Sequence, residues 1–298
     1  MIVTKINPQG YCKGVILALD KCVKTINNPQ TKKPIYLLGM IIHNKLVCKE
    51  LENKGVIILE GSDKLELIKN ITSGTVIISA HGVSEKVKDA LNNLNVDIVD
   101  TTCPDVAKVH QNVFKYLELG YEILYIGKKN HPEAIGVLEE STKVHLIDNL
   151  ELIEGLDKTK KYYVTNQTTL SHDYLITYHN FLKNISLDIL IENNICLATT
   201  KREKALYDIN TDLIVVVGDY SSSNTKKLVE VAKNKAQSKL VIAIERAHDL
   251  LNYDLSTYHK AYVTSGASTP NKIFDQVIRF LESDCNDKSI LDEELLFF

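Results

Sequence analysis

The sequence predicts an α/β protein built from three similar small domains, with mostly parallel sheets disposed around a pseudo-threefold axis. Three observations predict it. Strand-like and helix-like segments alternate along nearly the whole chain, and parallel strands need such crossover helices. Cys12, Cys103 and Cys196 recur at near-equal intervals, each between an apolar strand and a helix. Each third also holds an apolar strand closed by glycine, at Gly39, Gly127 and Gly218, with a polar residue four positions on. Self-similarity at that period points to repeated units.

The first third opens with a strand over 2–6 before Cys12. Val15, Leu19, Cys22, Val23 and Ile26 then share one face of a helix, as a 3.6-residue period requires. A strand over 36–38 ends at Gly39 and leads to His43. Another follows over 56–59, and a closing strand over 76–78 runs into Ser79-Ala80-His81-Gly82. The second third begins with a strand over 96–99 before Cys103. Pro104 suits a first helical turn, and Val106, Val109, Val113, Tyr116 and Leu117 form the buried stripe. A strand over 124–126 ends at Gly127 and leads to His131; strands over 144–147 and 162–164 follow, the last closing in Thr168-Thr169. In the last third a strand over 187–191 precedes Cys196, and a shorter helix is expected around 202–209. Strands over 215–217, 240–244 and 262–264 follow, with Ser222 after Gly218 and Ser268 at the closing tip. The expected domains are 13–100, 101–192 and 193–283. The N-terminal strand 1–12 joins the third, and 284–298 is a C-terminal tail.

Composition narrows the function classes. The chain has 298 residues, 44% hydrophobic and 24% charged, with net charge −3. These are ordinary globular values and exclude a disordered chain, a collagen and a coiled coil. No apolar run reaches the ~18 residues of a membrane helix, and bulk charge invites neither nucleic acid nor a membrane surface. The N-terminus lacks a signal-peptide core, so the expected location is the cytoplasm. Six cysteines without a C-x-x-C pair argue there against a disulfide framework and against a zinc ribbon.

Ligands of parallel sheets sit beyond the carboxyl ends of the strands, where all the repeated motifs fall. Three domains can therefore aim three cysteines and six polar tips at one centre. Three thiolates suit a zinc ion, or three irons of a [4Fe–4S] cluster with the fourth iron open. Cys22 and Cys48 read as core, and Cys285 lies in the polar tail. His43, Asn44, His81, His131, Thr168, Thr169, Ser222, Ser223, Asn224 and Ser268 are hydrogen-bond donors suited to an oxyanion such as phosphate. Glu133 is the one carboxyl among the tips and so the candidate proton donor. His110, His145, His172, His179, His248 and His259 stand away from the tips and read as structural.

At these residues the sequence resembles 4-hydroxy-3-methylbut-2-enyl diphosphate reductase of the non-mevalonate isoprenoid pathway. The matching segments run from Asn7 to about Ser268: Asn7-Pro-Gln-Gly-Tyr-Cys12-Lys-Gly-Val15, Ile42-His43-Asn44, Ser79-Ala-His81-Gly-Val83, Asp100-Thr-Thr-Cys103-Pro104, His131-Pro-Glu133, Gln167-Thr-Thr-Leu-Ser171, Ile195-Cys196-Leu-Ala-Thr199, Ser222-Ser-Asn224 and Gly266-Ala-Ser268. The resemblance implies one [4Fe–4S] cluster per chain on Cys12, Cys103 and Cys196, with one open iron. It implies a diphosphate site made from His43, His81, His131, Ser222, Ser223, Asn224 and Ser268, and catalytic roles for Glu133 and Thr168 in delivering a proton to an allylic hydroxyl. Lys128, Val137, Asp105 and Glu203 depart from the family's usual residues; none is a ligand. No nucleotide-binding glycine fingerprint occurs, so an external donor of ferredoxin or flavodoxin type is expected, with a small allylic diphosphate as substrate. Two other readings stand beside this one. One is a three-cysteine cluster dehydratase or synthase of the quinolinate synthase type; the other is a non-catalytic redox or zinc-binding regulator.

Overall fold

A computed structural model describes residues 1–185 and 188–294. Leu187, the expected start of a strand, and the last four residues of the 284–298 tail lie outside the described residues. The chain runs β1 (Ile2–Lys5), α1 (Lys13–Asn27), β2 (Ile35–Leu38), α2 (Lys45–Asn53), β3 (Val56–Leu59), α3 (Lys64–Ile68), β4 (Gly74–Ile78), α4 (Glu85–Asn92) and β5 (Val96–Asp100). It continues through α5 (Pro104–Glu118), β6 (Glu122–Ile126), α6 (Pro132–Leu138), β7 (Val144–Ile147), α7 (Glu151–Glu154), β8 (Lys161–Asn166), α8 (His172–Lys183) and β9 (Asp188–Ile191). The remainder comprises α9 (Leu197–Lys204), β10 (Asn210–Val217), α10 (Ser223–Lys235), β11 (Gln237–Ile244), a 3-10 turn (Ala247–Asn252), β12 (Lys260–Ser265) and α11 (Asn271–Glu282), followed by a second 3-10 turn (Lys288–Asp292).

These strands form three four-stranded sheets of one pattern, β3-β2-β4-β5, β7-β6-β8-β9 and β11-β10-β12-β1. Every pairing is parallel. The strand that leads into each cysteine is an edge strand: β5 for Cys103, β9 for Cys196 and β1 for Cys12. Each pairs with the strand that closes its sheet's pattern, β4, β8 or β12.

Parallel strands covered on both faces read as continuous apolar runs, and the central strands show it. In β10, Leu213, Val215 and Val217 enter one core while Ile214 and Val216 enter another, the alternation that a period of two demands. In β6, Leu124 and Ile126 pack with Tyr162, Val164 and Leu175. Ile123 and Tyr125 pack on the opposite face with Val109, Val113 and Tyr163. In the first sheet, Leu38, Val76 and Ile78 meet Val87 and Leu91 of α4.

The chain divides into two compact units. One contains 1–15, 43–50 and the chain from Leu197 onward, with the sheet β11-β10-β12-β1. The other contains 16–42 and 51–196, with the two remaining sheets.

One helix differs from the sequence expectation. α9 spans Leu197–Lys204 rather than 202–209. It starts directly after its cysteine, as α1 and α5 do. The apolar signal at 205–209 belongs to a turn: Ala205, Leu206 and Ile209 pack against Ile214, Val216 and Leu228. Asp208, at φ 59°, lies within that turn.

Candidate functional site

The three cysteines occupy equivalent positions. Each is the residue immediately before a helix, α1, α5 or α9. Each backbone N–H donates to the carbonyl of the residue two past the end of the neighbouring strand: Cys12 to Ala267, Cys103 to Ala80 and Cys196 to Thr168, all at 3.0 Å. The peptide chain between strand and cysteine differs in length in the three cases, yet the closing bond is the same. All three side chains are partly exposed, whereas Cys22 and Cys48 are buried. A helix N-terminus favours negative charge beside it. Among the described residues, no three His, Cys, Asp or Glu side chains gather as they would around a single metal ion. A [4Fe–4S] cluster takes its cysteines on separate irons, one thiolate each. Each of the three is a soft donor of the kind that can hold one iron of such a cluster.

In the larger unit the tips of β4, β6 and β8 bring His81, His131, Glu133 and Thr168 to one end of their sheets. Gly127 ends the β6 strand, and His131 caps α6, its ring nitrogen accepting from the Glu133 N–H at 3.2 Å, with Pro132 in the first turn. The His81 and His131 rings meet edge to face at 6.0 Å. Glu133 is only 4% exposed. Its carboxylate accepts the Thr168 N–H at 2.9 Å, and the Thr168 hydroxyl lies 3.0 Å from both of its oxygens. Burial pushes the Glu133 carboxyl above its ordinary value. The bonds from Thr168 and the charge of His110 pull it back only in part, and Asp105 adds to the rise. Thr168 thus serves two partners, Glu133 through its side chain and Cys196 through its carbonyl.

In the smaller unit His43, Asn44, Ser222, Ser223, Asn224 and Ser268 fall together. Ser222 caps α10 by accepting from the Thr225 N–H at 3.3 Å. Asn44 does the same for α2, its side-chain oxygen 3.1 Å from the Val47 N–H. Capping explains why such residues stand at these junctions. The cap register therefore falls on Asn44 rather than His43, because the loop after Gly39 is one residue longer than those after Gly127 and Gly218. The Ser268 hydroxyl donates to the His43 carbonyl at 3.0 Å, and the Asn44 amide to the Ser268 carbonyl at 3.2 Å. Asn224 is engaged by the scaffold: its oxygen accepts from the Ala267 N–H at 2.9 Å and its amide reaches the Thr199 hydroxyl at 3.4 Å. Burial lowers the His43 imidazole pKa, against the upward pull of Asp219 and with help from Lys226. The neutral ring, which carries one N–H, is favoured.

Two residues here escaped the sequence reading. Asp219, 5% exposed, accepts from the Lys45 N–H at 2.9 Å and from the Ser221 N–H at 2.7 Å, tying the His43 loop to the β10 tip. Burial drives its pKa up, but these hydrogen bonds and Lys45 outweigh it, so the carboxylate form is held. The Asp-x-Ser spacing of an Asx turn was its available signal. Arg202, buried in α9, donates to backbone carbonyls; one of only three arginines in the chain, it carried no motif of its own.

A family profile described as "LytB protein" matches residues 3–282. The chain is 42% identical over 289 residues to the 4-hydroxy-3-methylbut-2-enyl diphosphate reductase of Symbiobacterium thermophilum, covering 95% of this chain and 97% of that relative. It is 39% identical over 288 residues to the protein of the same name from Bacillus subtilis, covering 95% of this chain and 91% of that relative. The solved structure of E-1-hydroxy-2-methyl-but-2-enyl-4-diphosphate reductase from Plasmodium falciparum superposes with a TM-score of 0.83 at 33% identity, over 96% of this chain and 88% of that one. A second solved structure, of (E)-4-hydroxy-3-methyl-but-2-enyl diphosphate reductase, superposes with a TM-score of 0.68 at 27% identity, over 95% of this chain and all of that one.

Proposed function

The chain belongs to the LytB protein family, and from that premise we propose that it reduces (E)-4-hydroxy-3-methylbut-2-enyl diphosphate to isopentenyl and dimethylallyl diphosphate. Two electrons and two protons enter for each substrate. The allylic C–O bond breaks, one proton leaves with the hydroxyl as water, and the other goes to an allylic carbon. Which carbon takes it decides between the two products.

The observation that carries this reading is Thr168. One residue holds the buried Glu133 carboxyl through its side chain and the Cys196 backbone through its carbonyl, so proton donor and thiol are set by a common joint. Cys12, Cys103 and Cys196 hold one [4Fe–4S] cluster in this reading. When bound, it supplies the electrons one at a time and an open iron that polarises the hydroxyl. Glu133 starts protonated, because burial favours the neutral acid, and passes its proton to the leaving oxygen. His43, His81, His131, Ser222, Ser223, Asn224 and Ser268 bind the diphosphate and compensate its charge, which fixes the distance of the hydroxyl from Glu133. The diphosphate itself delivers the second proton. A cluster of this kind needs reduced thiols, which supports the cytoplasm, and among the described residues no helix is long and apolar enough to cross a membrane. A separate ferredoxin or flavodoxin supplies the electrons. A dicarboxylate synthase and a zinc regulator leave the Glu133–Thr168 pair without a task.

Anaerobic incubation of the iron-loaded protein with the allylic diphosphate and reduced methyl viologen tests the proposal. The expected result is both five-carbon diphosphates and about two viologen radicals oxidised per substrate, as the two-electron balance and stepwise transfer demand. Substrate left intact by fully loaded protein would overturn it.

A further inference from the structure

We propose that Arg202 is a positioning residue for Cys12, clamping the longest of the three cysteine loops onto the tip of β12; this rests on the reading of Cys12 as a cluster ligand. From the last strand residue to the thiol, the chain runs Asp100 to Cys103, Ile191 to Cys196 and Lys5 to Cys12. The last of these paths is the longest, and a longer loop has more conformations to lose. A thiolate that must meet a rigid cluster needs that freedom removed before the cluster arrives.

Arg202 removes it. Its side chain is 2% exposed. One terminal nitrogen donates to the Gly10 carbonyl at 2.6 Å, and Nε donates to the Ser265 carbonyl at 3.3 Å. The other terminal nitrogen reaches the Ala198 carbonyl at 3.3 Å, which steadies the guanidinium on its own helix. Ser265 is used a second time: its hydroxyl accepts the Gly10 N–H at 2.7 Å. Both backbone polar groups of Gly10, its N–H and its C=O, are thus fixed two residues before Cys12, whose own N–H is closed on Ala267.

A lysine cannot copy this arrangement. One ammonium on a flexible stem does not span two carbonyls with a planar fork. The clamp begins on α9, the helix that starts directly after Cys196.

Amide hydrogen exchange on the purified protein, with chelator-driven iron release as a second readout, tests the inference. Arg202→Lys should raise exchange at the Gly10 and Cys12 amides at least ~10-fold, the scale of losing one hydrogen bond to a charged group. The Cys103 amide, closed on Ala80, should not change. Iron should leave the variant at least ~10-fold faster than wild type, for the same reason. Ser265→Ala removes only the hydroxyl used by Gly10 and should loosen the same two amides more mildly. It decides the matter if Arg202→Lys unfolds. Unchanged exchange at Gly10 and Cys12 in a folded Arg202→Lys, or in Ser265→Ala should the first variant not fold, overturns the clamp. A wild type that binds no iron sinks the ligand reading instead, while the exchange comparison still decides the clamp.

Discussion

Burial raises the Glu133 carboxyl above the ordinary value of an exposed glutamate, and the cause is local. Loss of water on burial disfavours the carboxylate by more than the two bonds from Thr168 and the charge of His110 restore. A glutamine at 133 keeps the size and the Thr168 contact but has no proton to give. Glu133→Gln should therefore bind substrate and keep its iron, yet turn over at least ~100-fold more slowly, the lower range for losing general acid catalysis. Thr168→Val should show a milder defect if Thr168 orients the acid. Steady-state kinetics at saturating reductant measures both. The pH dependence has a definite sign. Because the acid form is active and its pKa is raised, turnover should stay high above the usual glutamic acid value of 4.5. It should then fall as pH rises through the raised value. Glu133→Gln should lack that falling limb. Glu133 was legible in the sequence because it lies in the His131-Pro132-Glu133 tip motif. Asp219 and Arg202 were not, because their roles are defined by the peptide groups of Lys45, Gly10 and Ser265, which lie far off in sequence.

Among the elements, the strands and their tips were the most legible parts. β2, β6 and β10 each end in an apolar run followed by glycine, and the helices after them open at Asn44, His131 and Ser222, whose side chains accept the capping bonds. α9 was misplaced because its exposed residues, Leu197, Lys201 and Lys204, give no apolar stripe, while the turn after it is apolar and buried. The entry to α2 was recognised as a polar tip but not as an element bonded to β10. That bond depends on Asp219, and Asp219→Ala should release the Lys45 N–H and let the His43 loop move. We expect KM for the diphosphate to rise by more than kcat falls, with iron content unchanged, as for loss of a group that only positions a binding residue. Gly10 sets a second test at this scale. Its φ is +70°, and a Cβ there would stand 1.6 Å from the Asn271 side-chain oxygen. Gly10→Ala should destabilise the folded protein by at least about 1–2 kcal/mol, the cost of a left-handed backbone alone, read from the denaturant midpoint.

At the scale of the whole chain, one sheet pattern is used three times, and the first strand of the sequence supplies the edge of the last sheet. This much was legible because the cysteines and strand-ending glycines keep phase, and because a strand precedes each cysteine. The division into two compact units was not legible. It assigns the short 43–50 segment, from the middle of the first third, to the unit that holds the last third, an assignment that no local pattern encodes. The central claim is that three cysteines at equivalent positions serve one cluster. Iron and acid-labile sulfide per chain after anaerobic purification test it most directly. The account predicts about four of each in wild type. Cys12→Ser, Cys103→Ser and Cys196→Ser should each lose most of both, since a hydroxyl is a poor substitute for a thiolate on iron, while Cys22→Ser, Cys48→Ser and Cys285→Ser should retain them. A wild type that carries zinc without sulfide, or a Cys196→Ser protein that keeps its full iron while Cys22→Ser loses it, would contradict the account.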